Sequence, residues 1–184
     1  YLLFLEQGVS SGGPAGSEDR ADLSLLANLA RRHATILRSG EGYLLEAQGP
    51  ARLNGHPAEA RADLSHNYRI ELGEGVRLQF RQPSPLSRTA MLEFLSDHRP
   101  AQSVDGVVLM DDTCLLGPGT DNHIRCAHWD DSVLLFRREG EFRCKAPGEL
   151  VINGRKATSP CAFAPGDVIS GPDGRFRLEA LESV

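Results

Sequence analysis

Apolar residues in this chain come in short bursts, and within the bursts they often alternate with polar ones. Val76-Arg77-Leu78-Gln79-Phe80 is the clearest case, joined by Tyr43-Leu44-Leu45, Val133-Leu134-Leu135-Phe136 and Phe176-Arg177-Leu178. A period of two puts successive side chains on opposite faces of an extended backbone, so such bursts predict strands with one buried face. Gly, Pro and Asn lie between them, and these residues suit tight turns. Leu23 to Leu29 and Thr89 to Leu95 have some helical propensity. Both are short, neither carries a cap at each end, and Ala90-Met91-Leu92-Glu93-Phe94-Leu95 reads better as a strand. The pattern predicts an all-β chain.

The pattern is written twice. At a shift of 99 positions Leu53-Asn54-Gly55 falls on Ile152-Asn153-Gly154, Ile36-Leu37-Arg38 on Leu135-Phe136-Arg137, and Tyr43 on Phe142. Nearer the start the shift is 105, with Leu2, Phe4, Val9 and Gly12 falling on Val107, Leu109, Cys114 and Gly117. One loop longer by six residues in the first copy would produce this change, and Pro14 to Ala21, rich in Gly, Ser and charge, is the expected place. A repeat of this length predicts two domains, since solenoid periods run from roughly 20 to 50 residues. The seam is expected at Gln82–Arg88 or Asp97–Gln102, which places domain 1 at residues 1–100, with a last strand at about 89–96, and domain 2 at 101–184. So short a linker implies that the two domains pack on each other.

Composition narrows the function classes. The chain has 184 residues, 40% hydrophobic and 24% charged, with a net charge of −5. No basic stripe is present, which argues against nucleic acid. No apolar run approaches the roughly 20 residues of a membrane helix, so no membrane contact by this segment is expected, and a cytoplasmic location is. The chain starts at Tyr1, not Met, and reads as a piece of a longer protein. Cys114, Cys126, Cys144 and Cys161 are widely spaced with no Cys-x-x-Cys. That disfavours a zinc knuckle and suits small buried hydrophobes, with disulfides as the alternative.

The segment Ala30-Arg31-Arg32-His33, preceded by Gly12-Gly13 and followed by Asn54-Gly55, resembles the signature of a forkhead-associated (FHA) domain, a β-sandwich that reads phosphothreonine. The resemblance implies two tandem FHA-like (SMAD/FHA-type) β-sandwich domains. The family pattern runs Gly-Arg, Ser-x-x-His, Thr-Asn-Gly and a later Asn-Gly hairpin, with the Arg and Ser on the phosphate. Here Gly13 stands in the Arg place and Ala30 in the Ser place, and the chain between Glu46 and Asn54 is about three residues too short for the Thr-Asn-Gly loop. In the second copy Gly117-Pro118 replaces Gly-Arg, and Trp129-Asp130-Asp131-Ser132 replaces Ser-x-x-His. The resemblance thus implies a structural motif of Gly12, His33, Asn54, Gly55, Gly117, Asn153 and Gly154, and leaves Arg31 and Arg32 as the candidate phosphopeptide contacts. A hydrogen bond to a charged group contributes on the order of 1.5–3 kcal/mol, so losing both phosphate contacts weakens binding by about two to four decades.

Other chemistry is thin. His123, Cys126 and His128 could share a metal only with a fourth ligand that the sequence does not offer nearby, and Asp111-Asp112 and Asp130-Asp131 read as solvated turns. Spacing suggests no Ser/His/Asp set and no activated Cys. The expectation is a non-catalytic protein–protein interaction module that does not depend on phosphothreonine, has no cofactor or metal, and binds a protein partner or another domain of its parent. The alternative is a phosphothreonine-peptide reader acting through domain 1 in a signalling protein.

Overall fold

The computed structural model describes residues 1–14, 21–84 and 86–180 and is all-β. The chain divides into two compact units, Tyr1–Met110 and Asp111–Val184. The division follows Met110, whereas the sequence places it near residue 100; both expected seams, Gln82–Arg88 and Asp97–Gln102, fall inside unit 1.

Unit 1 runs β1 (Leu2–Phe4), β2 (Gly8–Gly12), β3 (Leu23–Ser24), β4 (Ala34–Ser39), β5 (Gly42–Ala47), β6 (Ala51–Leu53), β7 (His56–Pro57), β8 (Arg61–Leu64), β9 (Arg69–Leu72), β10 (Val76–Arg81), β11 (Ala90–Phe94) and β12 (Gly106–Leu109). One sheet has the order β3-β2-β4-β5-β8 and the other β1-β12-β11-β10-β9-β6-β7. Alternation decides which residues meet between them. Val9, Ile36, Tyr43 and Leu45 from the first sheet and Ile70, Leu72, Val76, Leu78 and Phe80 from the second form one buried core. The Tyr43 and Phe80 rings lie 5.1 Å apart, tilted, a favourable arrangement for aromatic pairs. The Tyr43 hydroxyl donates to the Arg88 carbonyl at 2.6 Å, so this large core residue keeps its polar end satisfied.

Unit 2 runs β13 (Thr113–Gly117), β14 (Ile124–Arg125), β15 (Val133–Arg138), β16 (Glu141–Lys145), β17 (Leu150–Ile152), β18 (Arg155–Ala157), β19 (Cys161–Phe163), β20 (Val168–Ser170) and β21 (Arg175–Arg177). Its sheets have the orders β14-β13-β15-β16-β19 and β18-β17-β20-β21. The first repeats the five-stranded order of unit 1 strand for strand, and the second repeats β7-β6-β9-β10. Both Asn-Gly hairpins turn with positive φ at each central residue: 50° and 82° at Asn54 and Gly55, 49° and 79° at Asn153 and Gly154. That is the type I′ requirement, and it suits the right-handed twist of the flanking strands.

Two details differ from the sequence reading. The six extra residues of the first copy are divided between two connections: β2–β3 has ten residues where β13–β14 has six, and β3–β4 has nine where β14–β15 has seven. Most of Pro14–Ala21 lies outside the described residues. The opening strand of the second copy is also not in unit 2. Leu2 and Phe4 pair in parallel with Val107 and Leu109, so the two repeat-related strands lie side by side in the sheet of unit 1. The same β12 pairs antiparallel with β11.

Candidate functional site

Of the sequence-predicted residues of unit 1, Gly12, Arg31, Arg32 and His33 lie where β2, β3–β4, β5–β6 and β9–β10 meet at one end of the sheets, whereas Asn54 and Gly55 turn the β6–β7 hairpin at the other end of β6, where Asn54 bonds to Arg69 at the start of β9. His33 is the organiser. It is buried. Its Nδ1 accepts the Ala30 amide at 3.3 Å and its Nε2 lies 2.8 Å from the Pro50 carbonyl oxygen, a pair that fits the tautomer with its proton on Nε2. Its carbonyl accepts from the amides of Gln48 and Gly49 at 2.9 and 3.0 Å. One residue thereby ties the β3–β4 loop to the three-residue β5–β6 loop, and two amides of that loop are already engaged.

The glycines act through close approach. A Cβ on Gly12 would lie 1.9 Å from the Arg31 carbonyl oxygen, one on Gly13 would lie 2.5 Å from that of Leu29, and one on Gly49 would lie 2.4 Å from the His33 ring. Gly12 and Gly117 are absent from the positive-φ residues, so the reason for glycine there is close contact, not a left-handed backbone. Gly13 likewise has no room for a side chain on this backbone. Arg31 and Arg32 are exposed, as is Ala30.

Unit 2 repeats the arrangement with other residues. The amide of Cys126 donates to the Gly117 carbonyl at 2.8 Å, as that of Leu25 does to Gly12. Ser132, at the repeat position of His33, accepts from Asn122 Nδ2 at 2.9 Å, and a Cβ on Gly117 would meet both of these atoms at 2.4 Å. Asp173, in the Pro172-Asp173-Gly174 turn, directs one carboxylate oxygen at the amides of Asp130 and Asp131, 3.2 and 3.3 Å away. Two convergent amides form a small anion cradle, and here the chain fills it with its own carboxylate. Trp129 covers Gly174, where a Cβ would lie 2.5 Å from the indole nitrogen. Sequence reasoning missed Asn122, Asp173, Gly49 and Pro50. A Pro-Asp-Gly turn is legible as a turn, but the amides its carboxylate reaches are more than forty residues away.

His123, Cys126 and His128 are not brought together. Among the described residues no group of three or more His, Cys, Asp or Glu side chains is placed to hold a metal. His123 is buried, with Nδ1 accepting the Leu115 amide at 3.0 Å. Cys144 and Cys161 face each other across β16 and β19 with sulfurs 3.5 Å apart. Burial, then the hydrogen bond with Cys161, pushes the Cys144 thiol up to about 12. Burial chiefly, with nearby Cys126, does the same to Cys114. Thiols so held are poor nucleophiles. No helix among the described residues is long and apolar enough to cross a membrane.

The fold and the loop end define an all-β protein with two sandwich-like units of shared strand order. No family model matches the chain, and no curated protein or solved structure matches it either. The functional reading therefore rests on the residues and their geometry.

Proposed function

We propose that this chain is a non-catalytic, tandem FHA-like protein–protein interaction module whose loop ends bind a partner without a phosphothreonine. The observation that carries this reading is the closure at Gly13: with the Leu29 carbonyl 2.5 Å from any Cβ there, a cationic side chain cannot be placed on this backbone. Asp173 on the amides of Asp130 and Asp131 supports the same reading in unit 2, where an incoming phosphate would have to displace a carboxylate. Loops presented by a rigid sheet scaffold tolerate such change while still binding.

The test is a titration of the chain against a degenerate phosphothreonine peptide library, with the unphosphorylated library as control. Equal or absent binding to both is the expected result. A second reading, a phosphothreonine reader, is favoured by the exposure of Arg31 and Arg32 on the β3–β4 loop. Binding that disappears without phosphate, and that falls on Arg31→Ala or Arg32→Ala, would establish it and overturn the first.

A further inference from the structure

Two of the four cysteines stand directly opposite each other. Cys144 of β16 pairs with Cys161 of β19, and their sulfurs lie 3.5 Å apart. Opposed residues of an antiparallel pair have Cα atoms about 4.5–5.5 Å apart, within the roughly 4.4–6.8 Å that a disulfide spans. Rotation about the side-chain bonds can therefore close the gap to a bond while the two strands stay in place.

Core packing does not require this pair. Unit 1 fills the same two positions, at the shift of 99, with Leu45 and Ala62, which also pair directly. One large and one small apolar side chain do there what two thiols do in unit 2. The strands around the thiols are held on both sides. Two residues one way, Phe142 pairs with Phe163, with ring centroids 5.8 Å apart. Two residues the other way, the Ser159 hydroxyl brackets Ala146, accepting from its amide at 3.2 Å and donating to its carbonyl at 3.3 Å. Groups fixed in this way lose little further freedom on joining. The two sulfurs are not equivalent. Cys144 is fully buried, whereas Cys161 is half-buried and donates its thiol to the Cys144 carbonyl at 3.8 Å.

We propose that Cys144 and Cys161 form an oxidation site for a small hydroperoxide, which converts them to a cross-strand disulfide that ties β16 to β19. Cys161, the more accessible, reacts first. Its thiolate attacks a peroxide oxygen, the O–O bond breaks, hydroxide leaves, and a cysteine sulfenic acid forms. The Cys144 sulfur then attacks the Cys161 sulfur. The S–S bond forms, the S–O bond breaks, and hydroxide leaves as water with the Cys144 proton. The two thiols lose two electrons, and hydrogen peroxide gains them to become two waters. The bond joins residues 17 positions apart and closes the segment that carries β17 and β18 into a ring, so it restricts the unfolded chain of unit 2 far more than the folded one. This goes beyond the loop-end reading and shares no residue with it.

The test treats the full chain with hydrogen peroxide, blocks the remaining thiols by alkylation and maps the product by mass spectrometry without reduction. A peptide joined through Cys144 and Cys161 is expected, with two of the four free thiols lost and both recovered by dithiothreitol. Trp129 is the only tryptophan and lies in unit 2, so its fluorescence follows the unfolding of that unit. Oxidation should raise the thermal midpoint it reports by roughly 5–10 °C, and reduction should restore it. Cys144→Ala should stop at the sulfenic acid of Cys161, trapped by dimedone, and Cys161→Ala should leave Cys144 unoxidised. If either variant fails to fold, the map of the wild type decides alone. A link through Cys114 or Cys126, a link between two copies, or thiols that stay free at peroxide concentrations that join them in urea would overturn the proposal. A joined protein with an unchanged midpoint would overturn it equally.

Discussion

Unit 1 and unit 2 are built to one strand order, yet they are not equally closed. In unit 1 three further strands, β11, β12 and β1, extend the second sheet past β10, and every inward residue of β10 is buried. Among the described residues the sheet of unit 2 ends at β21, and Phe176, Leu178, Trp129, Phe142 and Ile152 surround a small buried core instead of joining it. Fully burying a Leu or Phe side chain contributes about 1.5–3 kcal/mol, so this difference amounts to several such increments. A sandwich is completed by whichever strands cover its last inward positions, and those strands need not come from the same stretch of the repeat.

The largest effect that tests this comparison is in the cores. Phe80→Ala should destabilise unit 1 by about 3–5 kcal/mol, the range for truncating a buried aromatic, because Phe80 is fully buried and packs on Tyr43. Phe176→Ala, on the equivalent strand of unit 2, where Phe176 is only partly buried, should cost about half that or less. Denaturant unfolding of the full chain measures both, and equal costs would mean that β21 is covered in solution. Alkaline pH separates the units next. Cys114 is buried in unit 2 at the repeat position of Val9 in unit 1. A thiol whose folded pKa is raised supplies stability that is complete below its unfolded pKa and is lost as pH climbs toward the folded one. With about 12 against an ordinary 9.0, the window is pH 9 to 12, and the loss approaches about 4 kcal/mol at its upper end. Cys114→Val should flatten that part of the stability–pH curve of unit 2 relative to the wild type. An unchanged slope would mean that the thiol is not buried.

The loop ends give a smaller contrast. His33→Ala removes a buried ring that makes two hydrogen bonds and leaves the Ala30 amide and Pro50 carbonyl without it, which should cost about 2–3 kcal/mol. Ser132→Ala, at the repeat position, removes one side-chain bond to Asn122 and should cost about 1 kcal/mol. Thermal unfolding of the two variants checks the ratio.

How much of this was legible in the chain depends on the range of the interaction. Val76-Arg77-Leu78-Gln79-Phe80 declares β10 because alternation is local, and Asn54-Gly55 and Asn153-Gly154 declare their hairpins because the φ requirement belongs to two residues. The expected last strand at about 89–96 corresponds to β11, Ala90–Phe94. Strands of two residues, such as β3 and β14, carry no period to detect. The membership of Val107 to Leu109 in the first unit was not legible. The repeat marks that strand as the start of the second copy, and it is pairing with β11 and, in parallel, with Leu2 to Phe4 about a hundred residues away that places it in the first unit. Glycine at 12, 13 and 117 was legible as glycine, but its reason, a carbonyl or side chain within 2.5 Å of the missing Cβ, depends on segments that approach only in the folded chain.

The smallest effect separates an anion cradle that is absent from one that is filled. Asp173 accepts two amide bonds at 3.2 and 3.3 Å in an exposed setting, so Asp173→Ala should lower the stability of unit 2 by only about 0.5–1.5 kcal/mol. It also leaves the amides of Asp130 and Asp131 pointing at open space, as donors that favour an anion. The side chains of Asp130 and Asp131 oppose that preference, and no cation stands in the place of Pro118. Inorganic phosphate added to Asp173→Ala should therefore produce amide shifts confined to residues 130 and 131, and only at millimolar concentration, while the wild type shows none. Tight binding by the variant would mean that the loop end of unit 2 retains a working phosphate site beneath its own carboxylate. No shift at all would mean that the two amides turn away once Asp173 no longer holds them.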